Sequence, residues 1–169
     1  MQKLRNSDWD TAYRFAQGID FPPQRVIIFQ KLAQKLHSNK ETDRAQVILE
    51  EVWGWVEKLD NSPKKVDAMF KLAEEMALIN TSRSFELLER ATKALNSTGF
   101  SVSPPKDPNR VLTESQIAVE MIKVEPIFTS LARVDFDRTI HLAQTIANNE
   151  MSLFAQSAAC QQILRPNSK

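Results

Sequence analysis

Glycine is nearly absent: the 169 residues contain three, Gly18, Gly54 and Gly99, and no two share a local window. That excludes the G-x-G-x-x-G and G-x-x-x-x-G-K-[ST] phosphate loops and the G-x-S-x-G elbow, each of which needs several close glycines. It also speaks against hairpin-rich sheets, whose tight turns lean on glycine for positive φ. Cysteine is rarer still. Cys160 alone allows no intrachain disulfide and no cluster of thiolate metal ligands. The first ten residues lack the apolar run of a signal peptide, and no stretch approaches the roughly 18 continuous apolar residues of a membrane span. Neither sign of charge dominates. Lysine plus arginine total 22 against 21 acidic residues, and residues 1–80 carry 12 of each, so no net field favours nucleic acid or anionic lipid. A cytoplasmic chain is expected, or a secreted or periplasmic one if a leader has been removed.

What the chain does have is 42% apolar residues, enough for a core, in a length typical of one domain. Their spacing is helical. From about Pro23 to His37, Val26, Phe29, Leu32, Ala33 and Leu36 share one stripe. Residues 41–60 do the same with Ala45, Ile48, Leu49, Val52, Val56 and Leu59, residues 63–79 with Val66, Met69, Leu72, Ala73 and Met76, and residues 82–96 with Phe85, Leu88, Ala91 and Leu95. Shorter helices are expected near 8–18, 112–123 and 126–133, with two more at about 136–147 and 150–164. Ser62-Pro63 reads as a cap followed by proline at the first helical position; Thr113-x-x-Gln116 fits a capping box; Asp135 and Asn149 are cap residues.

The helices repeat. A shift of 40 lays Val26, Lys31, Leu32 and Ala33 on Val66, Lys71, Leu72 and Ala73; a shift of 39 lays Ile48, Leu49, Val52 and Val56 on Leu87, Leu88, Ala91 and Leu95. A shift of 127 lays Phe15, Ala16, Gln17 and Ile19 on Leu142, Ala143, Gln144 and Ile146, and Val26 on Leu153. A unit of about 40 residues that cannot bury both its stripes alone has to stack on its neighbours. With Val26-x-x-Phe29-x-x-Leu32-Ala33 and Asp135-Phe136-Asp137-Arg138 … Leu142-Ala143, the chain resembles the tetratricopeptide/HEAT class of α-α repeats, although no glycine here follows a leucine as that pattern's Leu-Gly step would have. The resemblance implies an architecture and no particular ligand. The expected fold is all-α: a single helical-hairpin repeat array, α-solenoid-like, of eight or nine helices, with subarrays at about 1–98 and 112–169 joined by a proline-rich loop at 99–111.

Few residues invite chemistry. His37 and His141 have no second histidine or cysteine at metal spacing, so no metal site is expected. His37 falls at a helix C-terminus, where a cationic ring favours the dipole, and Asp137 with His141 reads as an i, i+4 surface pair. Cys160, mid-helix, is expected to be a small buried hydrophobe. Glu50-Glu51 and Glu74-Glu75 read as solvated carboxylates on polar helix sides, and Asp135 and Asp137 as helix-start charges. No catalytic residue and no cofactor are assigned.

Trp53 and Trp55 are the candidate partner-binding residues. At about 100° per residue they fall on opposite margins of their helix's stripe, about 80° either side of its centre. Either both fill grooves towards neighbouring helices, or one lines a binding groove; an indole buried in its own hairpin is removed from the second reading. Gly54, between them, marks close packing or a site. The last helix is apolar on two faces, with Met151, Phe154, Ala155 and Ala158 on one and Leu153, Cys160 and Leu164 on the other. It packs on the helix at 112–123 or contacts a second copy in a homodimer. Asn80-Thr81-Ser82 and Asn96-Ser97-Thr98 match the glycosylation acceptor pattern by chance. The expected role is non-enzymatic, a protein- or peptide-binding scaffold. The alternatives are an RNA-binding array, which needs a basic stripe, an all-α enzyme with His141 or Cys160 in a cleft, and a structural segment of a longer repeat protein.

Overall fold

The apolar stripes decide where helices form, and short polar side chains decide where they begin. The computed structural model describes residues 6–19, 22–98 and 122–164. Among these, eight α-helices and no strand are found: α1 (Asn6–Gln17), α2 (Pro22–Ser38), α3 (Thr42–Glu57), α4 (Pro63–Ala77), α5 (Thr81–Ser97), α6 (Glu125–Ala132), α7 (Phe136–Gln144) and α8 (Asn149–Leu164). The expected loop at 99–111 and the expected helix through residue 121 lie outside the described residues. Its last two positions, 122 and 123, are not helical.

Side-chain caps mark four of the eight starts. The Ser62 hydroxyl accepts from the Lys65 N–H ahead of Pro63, and the Asp135 carboxylate from the Arg138 N–H. Asn80 does the same for Arg83, so the first residue of an apparent glycosylation triplet is a helix cap. At α8 the cap is Asn148, not Asn149: its side chain accepts from the Met151 N–H at 3.0 Å. Four residues after each of these two asparagine caps stands a buried serine. Ser84 donates to the Ala73 carbonyl at 2.7 Å and Ser152 to the Ala143 carbonyl at 2.9 Å, tying each helix to the one before it. Helix α7 stops three residues short of the expected end. The Asn96 side chain of α5 donates to the Thr145 carbonyl and accepts from the Ala147 N–H, which draws that segment out of the helical path.

One hydrophobic cluster runs from Trp9 to Ala158. Helix α4 packs on α2, α3, α5 and α6, while α6, α7 and α8 pack on one another and α1 lies on α2. The apolar residues matched by the shifts of 40 and 39 are buried in both copies: Val26, Leu32 and Ala33 like Val66, Leu72 and Ala73, and Ile48, Leu49, Val52 and Val56 like Leu87, Leu88, Ala91 and Leu95. The shift of 127 holds only in part: Ala16 and Ala143 are both buried and Gln17 and Gln144 both exposed. Phe15 is 72% exposed where Leu142 is buried, and Leu153 is exposed where Val26 is buried. In α8 the buried face is Met151, Ala155, Ala158 and Ala159, and Phe154 belongs to the exposed side. Cys160 is exposed, which corrects its expected burial: the alanines one and two residues before it face the neighbouring helices in its place. No helix among the described residues is long and apolar enough to cross a membrane.

The scarcity of glycine leaves a mark at the end of α2. The Glu41 N–H reaches back to the Leu36 carbonyl and the Lys40 N–H to the His37 carbonyl, both at 2.9 Å, a Schellman ending that needs one left-handed residue. That residue is Lys40, with φ 68°, where glycine is the unstrained choice. Lys40→Gly is therefore expected to stabilise the chain by about 0.5–1 kcal/mol, after the extra freedom of glycine in the unfolded state is counted. Chemical denaturation checks this, and a midpoint at or below that of the parent chain contradicts it.

Candidate functional site

Helices α1, α2 and α3 enclose an open cleft of about 320 Å³. Its floor is apolar because Trp9, Leu32, Leu36 and Ile48 each present the inward position of their own stripe, and all four are buried. Val47 stands on the lip, 66% exposed. The polar groups come from α1 and α3: Asp10, Tyr13, Asp43, Arg44 and Glu51.

Tyr13 joins the two sides. Its hydroxyl donates to the Glu51 carboxylate across the cleft. Burial, and then the bond and charge of Glu51, push the phenol up to about 12, so it remains a neutral donor at any physiological pH. Its ring meets Phe29 edge-on at 5.3 Å, and Phe29 meets Trp55 edge-on at 5.1 Å. The Arg25 guanidinium lies 5.4 Å over the Trp55 ring and donates to the Ile19 carbonyl just beyond α1, which fixes the end of that helix against α2 and α3. Arg44 is bound by Glu41 at 2.7 Å and Asp10 at 3.5 Å.

The two tryptophans part company here. Trp53 is 2% exposed, and its indole N–H is buried without a hydrogen-bond partner. It fills the core, so it is corrected out of the partner-binding pair. Trp55 is half-buried, in the aromatic row that abuts the cleft through Tyr13. Gly54 is not a close-packing position either, since a methyl group there would meet nothing within 4 Å. The cleft residues Trp9, Tyr13, Arg44 and Val47 were not picked out from sequence. The i, i+4 spacing of Trp9 and Tyr13 in the first helix was the available signal.

The remaining candidates are scattered. His37 is half-buried at the end of α2, its Nδ1 without a partner, beside a small cavity of about 60 Å³. His141 on α7 and Cys160 on α8 are both exposed, and no ion pair joins His141 to Asp137 among the described residues. The acidic pairs are less solvated than expected. Glu50 takes both prongs of the Arg83 guanidinium, at 2.7 and 2.8 Å, tying α3 to α5, while Glu51 faces Tyr13 of α1. Glu74 and Glu75 are half-buried, and desolvation raises both carboxyls; Gln34 bonds Glu75 from α2. Among the described residues no group of three or more acidic, histidine or cysteine side chains could hold a metal ion.

Two measurements follow from this geometry. A phenol raised from 10.0 to about 12 means that the folded chain holds its proton longer than the unfolded one. The stabilisation from Tyr13 is fully present below pH 10 and lost as pH rises towards 12. The stability gap between the parent chain and Tyr13→Phe should therefore narrow over that window, and a constant gap counts against the bond. Gly54→Ala should stabilise α3 by about 0.5–1 kcal/mol, the helix-propensity difference at an uncrowded site; a loss on thermal denaturation would reveal a packing role.

No family model matches the chain, and neither a curated protein nor a solved structure does.

Proposed function

We propose that the protein is a non-enzymatic protein- or peptide-binding module. Its hairpins α2–α3 and α4–α5 stack in the manner of tetratricopeptide/HEAT-like repeats, and the cleft between α1, α2 and α3 is its docking site. The open apolar cleft with a polar rim carries this reading: buried apolar floor, exposed Val47 at the lip, and polar side chains from two helices converging on its mouth. The equivalent burial of the residues related by about 40 positions supports the repeat arrangement. The half-buried Trp55 backs the cleft through Phe29 and Tyr13, so it supports the site's shape and does not itself meet the guest.

The rival readings find less support. A cleft whose lining holds Asp10, Asp43 and Glu51 against Arg44 repels a phosphate backbone, which counts against an RNA-binding array. His141 and Cys160 lie exposed on different helices rather than together in a cleft, which counts against an enzyme built on either.

Selection of a random peptide library against the full chain tests the reading. Enriched peptides should lose at least about ten-fold in affinity on Val47→Glu, which puts a charge on the apolar lip, while the variant melts as the parent does. Failure to enrich any peptide, or enrichment of peptides indifferent to Val47→Glu, overturns it.

A further inference from the structure

The cleft is not chemically neutral towards a guest. Among its lining side chains are three carboxylates, Asp10, Asp43 and Glu51, and one cation, Arg44. That cation is already engaged by Asp10 and by Glu41, the residue just before α3. The carboxylates differ in what is left to them. Glu51 is half-buried and fixed by the Tyr13 hydroxyl, whereas Asp43 is exposed in the first turn of α3. The rim thus carries unbalanced negative charge directly above an apolar floor.

The floor sets what fits above it. Trp9 is only 4% exposed and lines the cleft, while its indole N–H, like that of Trp53, is closed off from solvent. A volume of about 320 Å³ is at the small end of ligand pockets, typically about 300–1,000 Å³, and suits one or two side chains of a peptide.

We infer that the cleft recognises a peptide segment in which an apolar side chain stands next to a lysine or arginine: the apolar group on the floor of Trp9, Leu32, Leu36 and Ile48, and the cation on the exposed Asp43 carboxylate at the rim. The inference rests on the peptide-binding reading and names the chemistry of its guest. Charge complementarity sets its direction, since an acidic neighbour would meet like charge on a partly desolvated rim.

The test uses the full ¹⁵N-labelled chain and two probes, N-acetyl-leucyl-arginine amide and N-acetyl-leucyl-glutamate amide, followed at the Trp9 indole resonance, assigned with Trp9→Phe. The arginine probe should shift that resonance at concentrations where the glutamate probe does not. Its affinity should fall several-fold on Asp43→Asn and again between about 50 and 500 mM salt, as a rim contact is screened. Thermal melts of the Asn variant control for folding. If both probes shift Trp9 equally, or the glutamate probe binds better, the charge preference is overturned while the peptide-binding reading stands. If neither shifts Trp9 up to about 10 mM, where millimolar affinities register, the inference is overturned. The parent reading is then decided separately, by whether library-selected peptides respond to Val47→Glu.

Discussion

Helix α4 is the piece against which the rest of the structure is assembled. Its stripe, Val66, Met69, Phe70, Leu72, Ala73 and Met76, is buried throughout, and α2, α3, α5 and α6 all pack on it. A helix with an apolar face on a 15-residue length does not stand alone in water; each neighbour is held by the same need. The Ser84 hydroxyl on the Ala73 carbonyl and the Gln34 side chain on Glu75 then fix α5 and α2 against it. The raised carboxyls of Glu74 and Glu75 are the electrostatic cost of that close packing, because the side chains on the flanks of a crowded helix lose water.

Specific polar contacts join the helices. Glu50 and Arg83 join α3 to α5, Arg138 stacks 4.4 Å over Phe85 to join α7 to α5, and Asn96 bridges α5 to the end of α7. A bidentate, half-buried guanidinium–carboxylate pair fixes an angle as well as an energy, whereas the i, i+4 pairs Asp67–Lys71 and Glu89–Lys93 stay within one helix and hold no neighbour. The α1–α3 cleft is held by a separate set of contacts. There the Tyr13–Glu51 bond and the Arg25 contacts hold α1 over α2 and α3 without filling the space between them.

Much of the fold was legible because it is local. The stripes of α2 to α5 come from spacing alone, and Ser62-Pro63 and Asp135 announce their helices through a cap that reaches only three residues. Where local signals competed, they misled by small amounts. Asn148 and Asn149 are chemically equal candidates, and only the backbone path chose the first. Asn80 was hidden inside a triplet with another meaning. Cys160 looked buried by residue type, but in an alanine-rich helix two faces are nearly equivalent until a neighbour takes one of them.

The sequence by itself determined that this chain is helical, nearly without glycine, and striped so that its helices must pack on one another. It could not separate Trp53 from Trp55, because they sit symmetrically about the centre of one stripe. Tertiary structure broke that symmetry: one margin of α3 is enclosed in the core, and the other meets Phe29, Tyr13 and Arg25 next to an open cleft. The site likewise exists only through tertiary contact. Trp9 and Asp10 are more than thirty residues from Arg44 and Glu51, and no periodicity within one helix reports which faces of two helices will meet.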